Sequence, residues 1–186
     1  MAARVFNERG YDGTSMEDLA RALGVTKSAI YHHVSGKTEL LRQSLDLALD
    51  ALFAVTFEEG AVHGRAIERL EHVLHGSVRV LVEELPHVTL LLRVRGNTDV
   101  EKHALERRRE FDRLAADLVR EGIVDGDIRS DVDPAVTSRL LFGMVNSVVE
   151  WYRPDHGLSA DEVADALTRI AFEGLRLRDP RFDRVS

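Results

Sequence analysis

The sequence predicts an all-α protein, and three observations carry that reading. Apolar residues recur at three- and four-residue spacing along most of the chain. Caps and breakers such as Gly24, Thr26, Gly60, Pro86, Gly122 and Pro134 cut the pattern into helix-length pieces. No segment keeps the strict alternation of a strand. At 186 residues the chain has room for two small domains, divided here into residues 1–45 and 46–186.

The N-terminal domain reads as three helices, of which the second and third flank a tight turn. In residues 14–37 a capping box of Thr14 and Glu17 is expected to open the second helix. Met16, Leu19, Ala20 and Leu23 then form its inward stripe, and Gly24 supplies the left-handed residue that ends it. Val25 is expected to fill the angle between helices, and Thr26 to cap the next, over about residues 27–34. Ile30 and Val34 point inward on that helix. Lys27 with Tyr31, and Ser28 with His32, are outward pairs four apart. No acid occurs between Thr26 and Lys37, so the outer face offers a cation, hydroxyls, a phenol and imidazoles. Those groups suit base edges and phosphates, and the layout is that of a helix-turn-helix.

Phe6, Glu8-Arg9-Gly10-Tyr11, Thr14-Ser15-Met16, Leu19-Ala20, Leu23-Gly24-Val25, Ile30-Tyr31-His32-His33-Val34 and Lys37 together resemble the N-terminal domain of TetR-type repressors. The resemblance covers about the first 50 residues without gaps. It implies a homodimeric regulator with a DNA-reading head and a C-terminal domain that binds a small effector and dimerises. Carried over to this chain, it implies that Thr26, Lys27, Ser28, Ala29, Tyr31 and His32 face bases or the adjacent phosphates. It places His33 and Lys37 on the phosphate backbone, and Thr14 and Ser15 at a helix N-terminus holding another phosphate. The helix opening at Lys37-Thr38 would join head to body. The resemblance implies a basic arm and a full first helix, whereas from Met1 onward this sequence offers only Arg4 and Arg9 as cations there, so the first helix is expected to be short. Either the native start lies upstream or some phosphate contacts are given up.

Composition agrees with a two-part protein. The net charge is −7, yet residues 1–45 hold six cations against five acids, so the excess of negative charge lies in the body. There is no cysteine, no secretory signal and no apolar run of membrane length, which leads to the expectation of a cytoplasmic location without membrane contact.

Past the head, helices are expected at about 38–57, 65–84, 88–94, 99–121, 134–152 and 159–177, with a loop over 123–133. Asp133 with Pro134, and Ser159 with Glu162, are the clearest N-terminal signals. The 134–152 helix is apolar nearly all round, including Val136, Leu140, Phe142, Val145, Val148 and Trp151. The last helix carries Val163, Leu167, Ile170, Ala171 and Leu175. Helices 134–152 and 159–177, paired with their symmetry mates, would form a four-helix homodimer interface, with Gly143 allowing close approach. Two symmetric heads imply a palindromic operator on double-stranded DNA.

An effector pocket is expected where the apolar run 88–97 meets the 134–152 helix. Arg93, Asn97, Phe142, Asn146 and Trp151 are its candidate ligand-binding residues. Apolar walls with a cationic mouth suit an organic acid or an acyl-CoA thioester. Arg107-Arg108-Arg109, followed by Glu110 and Asp112, reads as a solvated face. Glu68, His72 and His75 share a helical face but lack a second ligand pair, so they read as an exposed polar stripe with no metal. No cofactor motif, phosphate loop or nucleophile elbow occurs, and no catalytic residue is assigned. The alternative to a transcriptional regulator is a helical protein–protein interaction module.

Overall fold

The computed structural model describes residues 1–175, and within them the regular structure is helical throughout. Helices α1 (Ala2–Arg9), α2 (Met16–Leu23) and α3 (Lys27–Tyr31) form the head. The long α4 (Lys37–Val55) runs from the head straight through residue 45 into the body. The body continues with α5 (Glu59–Val62), α6 (Ala66–Glu83), α7 (Leu85–Arg93), α8 (Asp99–Val124), α9 (Pro134–Trp151) and α10 (Ala160–Leu175). The part of the last expected helix beyond residue 175 lies outside the described residues, as does the side chain of Leu175.

Helix α6 is the hub, packing against α4, α5, α7, α8, α9 and α10. Its Leu70, Val73, Leu74 and Val78 are fully buried, because the stripe at three- and four-residue spacing meets neighbours on more than one side. Gly76 lets α6 approach α4 closely, where a Cβ would collide with Val55. Phe111 of α8 lies between Phe53 of α4 and Phe142 of α9, with ring centroids 5.6 and 5.2 Å apart and both pairs edge-to-face.

Where a break was expected at Leu85-Pro86, the chain kinks and restarts. Glu84 leaves helical geometry (φ −107°, ψ 31°), and Pro86 stands in the first turn of α7, where its missing N–H is not needed. At the far end of α7, the buried Glu101 carboxylate accepts the backbone N–H groups of Gly96 at 2.8 Å and Asn97 at 2.7 Å. It also takes that of Arg95 at 3.3 Å. Helix α7 is thus a nine-residue segment with a defined joint at each end.

Helix α9 begins as expected, with Asp133 Oδ1 accepting from Val136 N at 2.8 Å. Its Leu141, Phe142, Val145 and Val148 are buried, whereas Val136 (51%), Leu140 (66%) and Trp151 (53%) face outward in a row with Gly143. Ile170 of α10 is likewise 69% exposed. Among the described residues no helix is long and apolar enough to cross a membrane.

Candidate nucleic-acid interface and ligand cavity

The head is held by local hydrogen bonds that follow from its sequence, with one shift of register. Ser15, not Thr14, caps α2. Its hydroxyl accepts from Asp18 N at 3.1 Å, while Asp18 Oδ2 accepts from Ser15 N at 3.0 Å. Thr14 is buried and its hydroxyl donates to Gly10 O at 2.6 Å, so its side chain is taken up within the head. The capping box is therefore Ser15–Asp18, and Glu17 is released for another task. Gly24 ends α2 in the left-handed conformation (φ 67°, ψ 27°). Leu23 and Val25, expected inside, are 39% and 46% exposed. The packing stripe on this side of the head is Met16, Leu19, Ala20, Ile30 and Val34.

Thr26 caps α3 by accepting from Ala29 N at 3.2 Å. The helix proper ends at Tyr31, one short turn earlier than expected, with His32 as its C-cap. Thr26, Lys27, Ser28, Tyr31, His32 and His33 are all exposed on one surface, and Ala29 is half-buried beside them. Although residues 26–37 contain no acid, Glu17 reaches across from α2 and pairs with the Lys27 ammonium. That hydrogen bond holds the Glu17 carboxyl below its usual range and raises Lys27. Lys37 is half-buried, and its Nζ donates to Tyr11 O at 2.8 Å and stands 4.3 Å from the Tyr11 ring centre. Its charge is engaged in joining α4 to the head.

A second joint links head and body. Asn7 Nδ2 of α1 donates to Pro86 O at 2.7 Å, and Arg93 Nη1 of α7 donates to Asn7 O at 3.0 Å. Behind α7 lies a cavity of about 50 Å³, walled by Leu52, Val88, Leu91, Phe111, Phe142 and Val145. Arg108, Asp112 and Asn146 are its charged and amide groups. Phe142 and Asn146 are thus brought together as expected, while Arg93, Asn97 and Trp151 do not line this space. Arg93 faces α1, and Asn97 is exposed in the turn held by Glu101. Trp151 is half-exposed at the end of α9, against Tyr152.

Arg108 corrects the reading of residues 107–109 as a solvated face. Arg107 crosses to Asp50 on α4 at 2.7 Å, but Arg108 turns inward and donates to Leu91 O at 3.3 Å. Its burial depresses the guanidinium, and partial burial likewise raises the Asp112 carboxyl. On another face, an open groove between α6 and α10 holds the polar stripe. There His72 pairs with Glu58 at 2.7 Å and His75 with Asp165 at 3.1 Å.

Comparison with known proteins identifies the family. Residues 1–43 match the family described as bacterial regulatory proteins, tetR family. Residues 63–175 match the tetracyclin repressor-like C-terminal domain. The chain belongs to the TetR family. Among solved TetR-family structures, SCO3833 from Streptomyces coelicolor A3 is 57% identical with a TM-score of 0.87, over 95% of this chain and 89% of that one. The ketosteroid transcriptional regulator KstR2 of Mycobacterium tuberculosis is 25% identical with a TM-score of 0.86, over 95% of this chain and 92% of that one. The HTH-type transcriptional repressor KstR2 of Rhodococcus jostii is 29% identical over 94% of this chain and 87% of its own. AibR, solved with isovaleryl coenzyme A and operator DNA, shares the fold at 24% identity and a TM-score of 0.78, over 92% of this chain and 94% of its own. As a TetR-family protein, the chain is a DNA-binding transcriptional repressor and not an enzyme.

Proposed function

We propose that this repressor is a homodimer released from a palindromic operator when a small, largely apolar effector enters the cavity behind α7. The observation that carries the reading is the cavity's position. Two of its walls, α4 and α7, are the helices that grip the head, through Lys37 with Tyr11 and through Arg93 and Pro86 with Asn7. A ligand that moves either wall therefore moves the reading surface. Residues 1–45 serve as the reading head and 46–186 as the effector-binding and dimerisation body.

The exposed set for DNA is Ser15, Thr26, Lys27, Ser28, Tyr31, His32 and His33, with Ala29 approaching between them. Lys27 exchanges Glu17 for DNA on binding. Thr14 supports Ser15 from beneath, and Lys37 sets the angle of the head. The uncovered row Val136, Leu140, Gly143 and Trp151, together with Ile170, supports a self-complementary interface of α9 and α10 across a two-fold axis.

For the effector, a cavity of about 50 Å³ is below the ~300–1,000 Å³ typical of ligand pockets, so binding must displace a wall. Aromatic and aliphatic lining with a few polar groups suits an acyl chain or an alicyclic ring. The likeness to a ketosteroid regulator supports that class.

The test is selection of genomic DNA fragments on the purified protein, followed by operator titration with and without acyl-CoA thioesters and organic acids. One palindromic site should emerge, and an active effector should weaken it by about 1–3 kcal/mol of coupling. Binding to a site that no such compound perturbs would reject the effector class.

A further inference from the structure

We infer that Arg108 is the anchor for a carboxylate on the effector, and that its capture by that carboxylate is the trigger that frees α7. The inference rests on reading the cavity as the effector site, and it assigns both the ligand's polar group and the route of the signal.

Arg108 lines a largely apolar cavity with most of its hydrogen-bonding capacity unused. A guanidinium presents five N–H donors, and among the described residues it makes one hydrogen bond, a long one to Leu91 O. Asp112 lines the same cavity one turn further along α8, yet no direct ion pair joins the two. Asn146, half-buried opposite, adds an amide to the same space. A carboxylate satisfies a guanidinium by two parallel hydrogen bonds, and in a water-poor cavity that exchange strongly favours the charged ligand over a neutral one. Partial burial disfavours the cation by more than the nearby Asp112 charge offsets, so an arriving anion relieves a standing cost.

The acceptor that Arg108 would release is what makes this a trigger. Leu91 belongs to the last turn of α7, and its neighbour Arg93 holds Asn7 O of the head at 3.0 Å. The other end of α7 is held to the same residue, through Asn7 Nδ2 and Pro86 O. Asn7 is therefore bonded to each end of α7, while its own Oδ1 is buried without a partner among the described residues. Withdrawing Arg108 from Leu91 O loosens the C-terminal end of α7, and the kink at Glu84 and the Glu101-bound turn localise the movement to this helix. The signal then reaches α1 directly, beside whatever α4 transmits.

The experiment uses the full chain and its selected operator. Probes are octanoate and cyclohexanecarboxylate, their corresponding alcohols, and octanoyl-CoA. Binding is read by calorimetry and operator release by fluorescence anisotropy. In the unmodified protein the acids should bind at least tenfold more tightly than the alcohols. Arg108→Met should erase that preference, and Arg108→Lys, which keeps the charge but not the fork, should retain part of it. Arg93→Met, which removes the donor to the backbone carbonyl of Asn7, should bind the acids as before yet release the operator several-fold less. Alcohols binding as well as acids, or an Arg108→Met protein that still prefers acids, would overturn the anchor while leaving the cavity as effector site. A preference for octanoyl-CoA over octanoate also overturns the free carboxylate as the recognised group. Full release in Arg93→Met overturns the α7 route. If none of the probes, charged or neutral, binds the unmodified protein, the cavity reading falls and the anchor with it.

Discussion

Lys27 on α3 and Arg108 on α8 are both cations beside a candidate ligand site, and the protein holds them by opposite means. Lys27 is exposed and paired with Glu17 from the neighbouring helix. Such a pair is cheap to exchange, because water screens both partners whether they are together or apart. Arg108 is half-buried, makes one weak bond to a backbone carbonyl and faces no paired carboxylate among the described residues. Partial burial makes its unmet donors costly, so its preference among partners is steep. The first arrangement suits a surface that must slide along a polyanion and settle by many small gains. The second suits a switch that must answer to one chemical group.

The contrast is tested first where the expected effect is largest, in the packing that defines the cavity. Phe111 is 2% exposed and touches both Phe53 and Phe142. Phe111→Ala should destabilise the fold by about 3–5 kcal/mol, since the three rings cannot all collapse into the space left. Urea unfolding with an unchanged slope would measure it, and a loss under about 1 kcal/mol would mean that the body repacks freely and the cavity is soft.

A mutation on the reading surface should behave in the opposite way. Tyr31 is 49% exposed and its removal takes nothing from the core. Tyr31→Ala should leave stability within about 0.5 kcal/mol of the parent. At the selected operator it should cost about 1–3 kcal/mol, with less loss on unrelated DNA. Equal losses on both kinds of DNA would move Tyr31 from base reading to backbone contact.

How much of this was legible beforehand follows the same division. The head is built from contacts within a few residues, so Gly24, Thr26 and the exposed face of α3 could be read from spacing. The cap was misplaced by one residue because Thr14-Ser15 offers two hydroxyls, with Glu17 and Asp18 as matching partners. Only the buried Thr14 bond to Gly10 O decides between them. The body depends on contacts between distant residues. Arg107, Arg108 and Arg109 are equivalent by composition, and what separates them is which face of α8 meets α7 and which meets α4. A signal was nevertheless present: Arg108 precedes Phe111 by three residues and Ala115 by seven, which puts it on the buried stripe. Likewise the Lys27–Glu17 pair, ten residues apart, needs the angle of the turn before it can be seen.

The smallest effect concerns that pair, and pH gives it a sign. If the Glu17–Lys27 pair is merely a placeholder, Glu17→Gln should leave the thermal midpoint unchanged and tighten operator binding a few-fold at neutral pH, since DNA no longer competes with a carboxylate for the ammonium. Glu17 has a folded value below its ordinary 4.5, chiefly through the hydrogen bond from Lys27. A depressed carboxylate keeps its pairing above the ordinary value and loses it as pH falls through the folded one. In the free protein, acid below 4.5 therefore converts Glu17 to a neutral side chain and releases Lys27 without any mutation. The ratio of operator affinities, Glu17→Gln protein over parent, should accordingly shrink toward one as pH falls through that window. A ratio that stays constant to the acid limit of DNA binding would show that Glu17 is not the group holding Lys27 back, and would place Lys27 among contacts that the operator does not need to win.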